Sequence, residues 1–423
     1  MNKNKNLISR RGLLQGAGAT FVALEISAMT NGAFASSWPK KPITVVIMYG
    51  AGGGTDTITR VLVDDMAKTT GWNIKAINKP GAVGGVATKY VASQKADGYT
   101  ILGAANYNKF VRVMGHMPAD QMPWENWVFM QAANSLASWS VRPDSPFKTF
   151  EDVVKAAKKN PGKVSISTSG TGGLWHELAL LVSDAAGIKL KFVPYKGGKK
   201  ATLAGLQGET DIAGGGVHEH VSLIRSGKLR NLQQTGREDI NVDGITLKSI
   251  GNIIPSTKPF LPFGGCYNLI MDRNTPKDVI KKVTSAYKKA VSSEKFMAIA
   301  KKKFFDIDVK FGEDADKRAA QLETMTVHTF NKYADQIGKK VKNHKELGLP
   351  TPENFEKWWN AKATEKALKK LKIQRKKQRE EVDKELSSKV KVAQEGLEGF
   401  NKSMKEKNQA DLAEYYRLKT DGR

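Results

Sequence analysis

Between an apolar run, Ile43-Thr-Val-Val-Ile-Met48, and a helix-patterned segment, Val61-Leu-Val-Asp-Asp-Met-Ala-Lys68, lies Tyr49-Gly-Ala-Gly-Gly-Gly-Thr-Asp-Thr-Ile-Thr-Arg60. Glycines at a strand-to-helix junction let main-chain N–H groups face a ligand. The helix dipole adds positive potential there, so an anion suits the loop. Phosphate motifs fail: no lysine follows the glycines as a P-loop requires, and Thr55 and Thr57 stand where a dinucleotide fingerprint has its last glycine. The residues leave open an anion site of unstated identity or a plain turn, with Thr55 and Asp56 as helix caps or ligand contacts. A second small-residue cluster, Ser167-Thr-Ser-Gly-Thr-Gly-Gly173, runs into Leu174-Trp-His-Glu-Leu. His176 there either contacts ligand or packs into the core. His218-Glu219-His220 could place two histidines on one face of a strand, but a closed metal site wants four ligands and no third is evident. It is read as a cleft-lining or helix-starting segment, with no metal. Catalysis needs a nucleophile with a base, and Asp56, Ser169 and His176 are the same residues the binding reading uses; no G-x-S-x-G occurs. No enzyme activity and no cofactor are expected.

These loops need elements to hold them. The runs ITVVIM, NIKAIN, YTILGAA, VSISTSG, KLKFVPY, TDIAGGG and YNLIMD are strand candidates. Segments of 3.6-residue spacing, such as TFEDVVKAAKKN and LWHELALLVSDAAG, separate them. Strands alternating with helices predict an α/β fold with parallel sheets, whose ligands sit at the C-terminal ends of strands. Two glycine-rich strand ends predict two lobes facing a shared cleft.

The N-terminus bounds the setting. A lysine-bearing start, Arg10-Arg11 followed by Leu13-Leu14, a mildly apolar run and Ala33-Phe-Ala35 have the layout of a twin-arginine export signal cleaved after Ala35. The protein is expected in the periplasm, with Cys266 as its only cysteine, buried and unpaired. A net charge of +26 favours anionic partners, although salt screens it beyond about 8 Å. Export argues against nucleic acid as that partner.

Taken together, the fragments resemble the periplasmic solute-binding receptors of tripartite tricarboxylate transporters, a branch of the type II periplasmic binding proteins. The resemblance runs through Trp38-Pro39, Pro42-Ile43, Ala51 to Asp56, Arg60, Asn78-Lys-Pro-Gly-Ala82, Gly84-Gly85 and Ala96-Asp-Gly-Tyr-Thr100. It continues in Asn160-Pro-Gly-Lys163, Ser169-Gly-Thr171, His176, Val193-Pro-Tyr-Lys-Gly-Gly198, Gly208, Asp211, Gly227-Lys-Leu-Arg230 and Asn274-Thr-Pro276. The order and spacing over residues 38–340 make the combination specific. It implies two α/β lobes joined by crossing strands, with an organic carboxylate between them. It implies a first-lobe clamp of Tyr49, Gly52, Gly53, Gly54, Thr55 and Asp56, and a second of Ser167, Ser169, Gly170, Thr171 and Gly172. Three departures bear on ligand identity: Met48-Tyr49-Gly50 replaces the usual Pro-Phe-Ala, Asn106-Tyr107-Asn108 stands where Asn-Pro is common, and the segment Gln131 to Arg142, with Trp139, diverges. Asn106 joins the expected ligand contacts. Hydrogen bonds to a charged group contribute about 1.5–3 kcal/mol each, so four or five reach the roughly −8 kcal/mol of micromolar binding after ordering costs. A bulky residue at Gly53 is expected to harm binding more than folding.

The expected organisation is a signal at 1–35, the first part of lobe 1 at 36–140, lobe 2 at 141–262, a return to lobe 1 with the hinge at 263–345, and a basic helical C-terminal extension at 346–423. The expected partners are a small organic carboxylate and the membrane subunits of a tripartite transporter, with the receptor a monomer. A ligand sensor on the same scaffold, signalling to a membrane partner, is the alternative. The extension carries a heptad seam, Leu386, Val390, Ala393, Leu397, Phe400 and Met404, suited to helix–helix contact. Its run KALKKLKIQRKKQRE is read as a solvated face, with membrane-surface contact as the alternative. Trp358-Trp359 are expected to dock the extension on the body.

Overall fold

Ile43-Thr-Val-Val-Ile is dense in β-branched side chains, which suit a pleated surface covered on both faces. In the computed structural model, which describes residues 38–420, it forms β1 (Ile43–Ile47), buried along most of its length. The predicted export signal lies outside the described residues. Parallel neighbours flank β1: β2 (Ile74–Asn78) and β3 (Thr100–Ala105). The chain then crosses in β4 (Trp127–Val141), whose second half pairs antiparallel with β7 (Ala213–Gly216) and β8 (Arg230–Gln234) of the other lobe. There β5 (Ser165–Thr168) and β6 (Lys191–Pro194) run parallel, and β9 (Ile240–Val242) and β10 (Ile245–Leu247) form a hairpin. The return strand β11 (Gly264–Asp272) inserts between β3 and the first half of β4, and β12 (Asp306–Phe311) covers the other edge of β4.

All seven predicted strands exist, but the sheets are mixed, not parallel throughout. A parallel pair needs a long crossover for each strand. β4 and β11 instead carry the chain between lobes, and both pair antiparallel. β4 itself escaped the pattern reading because its second half, Asn134-Ser-Leu-Ala-Ser-Trp-Ser-Val141, is rich in Ser, Asn and Ala, weak strand formers. It is almost wholly buried because partners cover both of its edges.

The helices that matter here are α1 (Gly54–Thr70), α2 (Phe150–Lys159), α3 (Leu174–Ala185), α4 (Gly198–Gln207), α5 (Val217–Arg225), α6 (Lys277–Val291), α7 (Glu294–Lys303) and α8 (Gly312–Lys332). α2 shows how sequence starts one: Thr149 accepts from the Asp152 N–H while Asp152 accepts from the Thr149 N–H, a capping box. Its Phe150, Val153 and Ala157 face Trp139, Val141, Ile166 and Ile212 in the core of the second lobe. Two buried ion pairs stitch the body. Arg112 donates to both oxygens of Glu323 on α8, at 3.0 and 2.6 Å. Lys109 meets Glu177 on α3 at 2.7 Å, and the other Glu177 oxygen accepts from Thr326 at 2.6 Å.

One compact unit ends at Glu353 and a second begins at Asn354. The second contains a single helix, α9 (Phe355–Thr420), of 66 residues. Near its start the rings of Phe355, Trp358 and Trp359 pack on one another. Gly396 and Gly399 do not interrupt it, and Leu386, Val390, Leu397, Phe400 and Met404 are exposed along it.

Candidate functional site

α1 starts directly after the glycines, with Gly53 as N-cap and no side-chain cap. Thr55 and Asp56 therefore lie inside the first turn and do not cap it. Asp56 turns back, one oxygen accepting from the Gly52 N–H at 2.9 Å, the other from Arg60 and Asn78 at 2.8 Å each. Asn78 also donates to the Tyr49 carbonyl at 2.9 Å. Asp56 is thus occupied in holding the loop. Gly52 needs its left-handed φ of +80° to complete the turn.

The second cluster divides in the same way. The Ser167 hydroxyl donates to the Ala201 carbonyl at 2.7 Å and accepts from the Gly214 N–H at 3.2 Å, tying β5 to β7 and α4. His176 Nδ1 accepts from the Gly172 N–H at 3.1 Å, and its ring lies 4.6 Å from that of Phe192. Burial pushes its imidazole down to about 4, so it is neutral at pH 7. It stands behind the loop that it braces.

Between the lobes is a cavity of about 90 Å³, room for several waters. Of the predicted residues, Tyr49, Gly53, Gly54, Thr55, Asn106 and Ser169 line it. Gly52 lines an adjoining cavity of about 300 Å³. Asp56, Ser167, Gly170, Thr171, Gly172 and His176 do not line the first; they shape the walls. Asn106 is 3% exposed and sits in a turn where Asn106, Tyr107 and Asn108 all have φ between 51° and 62°. That region costs a bulky residue about 1–3 kcal/mol and is met at ligand clamps. The Tyr107 N–H is held by the Asn268 side-chain oxygen at 3.0 Å. Asn106 Oδ1 accepts from the Cys266 N–H at 3.0 Å, which leaves its Nδ2 as a donor on the cavity wall. Cys266 is buried, as expected, and its thiol is pushed up to about 11 by burial.

The lining also includes Trp175, the run Lys196-Gly-Gly-Lys-Lys200 and Tyr267, which sequence reasoning did not assign to the site, and Glu219, from the segment it read as cleft-lining or helix-starting. A signal existed for two of them. Gly197-Gly198 sits between a strand and a helix just as the two recognised loops do, and α4 likewise begins without a side-chain cap. Gly216 followed three residues later by Glu219 is a helix-start pattern, and Glu219 accepts from the Gly216 N–H at 2.9 Å. His218 and His220 belong to that helix, α5, and are buried with neutral rings: burial drives His218 well below its ordinary value and His220 to about 3. Burial also raises the Tyr49 phenol.

Two α/β lobes sharing a crossing strand, with a small cavity where uncapped helix N-termini face one another, define a two-lobed periplasmic binding protein. The chain belongs to the tripartite tricarboxylate transporter receptor family, TctC, whose profile matches residues 58–333. It is 29% identical over 348 residues to a UPF0065 protein encoded in a gbd 5' region of Cupriavidus necator, covering 79% of this chain and 98% of that one. In fold it is similar to an R. palustris protein solved with adipate, with TM-score 0.61, 19% identity, and 72% and 99% of the two chains covered. MatC from Rhodopseudomonas palustris, solved with bound malate, gives TM-score 0.59 and 20% identity over 71% and 100%. Receptors of this family are periplasmic solute-binding proteins.

Proposed function

We propose that the protein captures a small organic carboxylate between its lobes in the periplasm and hands it to the membrane subunits of a tripartite transporter. The observation that carries this reading is the convergence on one cavity of the first turns of α1 and α4, whose N-cap residues are glycines with no side-chain cap, with Thr55, Asn106 and Ser169 beside them. A carboxylate accepts several N–H and O–H donors without needing a cation in contact, although Lys196, Lys199 and Lys200 stand at the rim. On this reading residues 36–140 and 263–345 form one lobe and 141–262 the other. Gly52, Asp56, Ser167, Gly170, Thr171, Gly172 and His176 serve the site by shaping it. Adipate and malate in relatives of the same fold agree with the ligand class. Membership of the tripartite tricarboxylate transporter receptor family supports the delivery step.

A thermal-shift screen of mono-, di- and tricarboxylates tests it. A ligand at 100 times its dissociation constant stabilises the fold by about 2.7 kcal/mol. Asn106→Ala and Ser169→Ala variants should lose most of that shift. A screen in which no carboxylate raises Tm, or in which both variants respond like the parent, overturns the reading.

A further inference from the structure

Glu219 is the one acid among the described residues that line the cavity. Its side chain is 6% exposed, and it stands on α5 of the second lobe facing the head of α1 in the first. A Cβ at Gly198 would collide with the carboxylate, and one at Gly53 would lie 3.7 Å from Oε1. The Gly54 and Gly216 N–H groups and the Trp175 indole N–H favour its charged form. The chain therefore sets its own carboxylate beside the glycine-rich starts of α1 and α4 that line the cavity. As a cap for α5, only one oxygen is needed, the one bound to Gly216; the other looks across the cleft. Close by, Asn106 Nδ2 offers a donor with no protein partner among the described residues. The cavity wall thus presents both an acceptor, Glu219, and a donor, Asn106.

We infer that Glu219 sets the specificity of the cleft: it admits a carboxylate whose far end is a hydrogen-bond donor, such as a primary amide or an ammonium group, and disfavours a second carboxylate at that end. This inference rests on the carboxylate-binding reading above. Two carboxylates facing one another in a dry cleft repel, and one of them must take up a proton. A donor end relieves this by bonding to Glu219 directly.

Burial raises the Glu219 carboxyl to about 7, against the pull of its donors. The groups that face it are His218 on its own helix, with Nε2 at 3.8 Å from Oε1, Lys199 and Lys200 on α4, Lys303 at the end of α7, Tyr267 on β11 and Tyr49 before α1. Burial keeps His218 neutral and both phenols protonated from pH 6 to 8, and lowers the Lys303 ammonium from its ordinary value. Discrimination should therefore be strong at pH 8, where Glu219 is charged, and weaken at pH 6, where it is protonated.

The test uses the full-length protein, titrated calorimetrically with matched pairs in which one carboxylate is replaced by a primary amide: malonate and malonamate, succinate and succinamate, glutarate and glutaramate, adipate and adipamate. For the pair of fitting length the parent should bind the half-amide at least about tenfold tighter at pH 8, like-charge contacts being costly in a desolvated cleft. The preference should narrow at pH 6. Glu219→Gln, which keeps the oxygen that caps α5, should abolish the preference at both pH values. Equal affinity within each pair for the parent at pH 8 overturns the inference, as does a ratio unchanged by Glu219→Gln. In either case binding itself would stand, and with it the carboxylate reading. The parental pH arm decides independently if the variant proves unstable. Absence of binding by every member of both series overturns the inference, and the carboxylate reading falls with it when the wider thermal-shift screen also finds no ligand.

Discussion

Adjacent glycines at the head of α1 meet different surroundings. A Cβ at Gly53 finds ordinary contacts, 3.6 Å to the Gly50 carbonyl and 3.7 Å to Glu219, whereas one at Gly54 collides with the Tyr267 hydroxyl and His218 Nε2. Gly53→Ala should therefore retain near-parental affinity. Gly54→Ala should lower it by about tenfold or more, since a misplacement near 1 Å at a preorganised site is expensive. Isothermal titration with the best solute of the screen, alongside circular dichroism to confirm folding, distinguishes them. The expectation for a bulky residue at Gly53, valine for example, then concerns the branches of the side chain, not the first added carbon. At this scale the sequence exposed the glycines and hydroxyls but not their division of labour. Asp56, Ser167 and His176 have the chemistry of ligand contacts, and only their partners reveal that they hold loops. Glu219 fell in a segment read as cleft-lining or helix-starting, and the structure shows both, since it lines the cavity and starts α5.

At the scale of elements, the site depends on helices whose first turns are held in register from behind. Arg112 and α8 show how firmly. The Glu323 carboxyl is raised by burial and pulled back by the Arg112 guanidinium at 2.6 Å. Arg112→Met leaves that carboxylate buried and unpaired, which should cost about 3–5 kcal/mol of stability at pH 7. A carboxyl raised above its unfolded value is least costly when protonated. The deficit should therefore shrink as pH falls towards 4 and grow as it rises, a sign that urea titrations at several pH values would check. A constant deficit across that range would refute the assignment. Elements with alternating or β-branched patterns, from β1 to β11, were legible because local preference and burial agree. β4 was not, because its strand state is imposed by neighbours from both lobes, and no window of sequence carries that information.

For the whole molecule, the division at Glu353 separates the cavity-bearing body from a helix whose apolar seam is exposed. Every residue lining the cavity precedes that division. A chain ending at Glu353 keeps every lining residue and should bind its solute with a dissociation constant within about twofold of the full chain. A larger loss measured by titration would show that the extension takes part in capture. The two-lobed plan was legible from paired glycine-rich loops, and the helical state of the run after Pro352 from its charge and lack of proline.

β4 changes partners between Leu136 and Ala137, from β11 on one side to β7 on the other. A continuous ribbon clamped at both ends behaves as a torsion bar. Were the lobes to rock apart, this short midpoint would twist, so its stiffness is expected to govern how fast a bound solute escapes, separately from the walls that grip it.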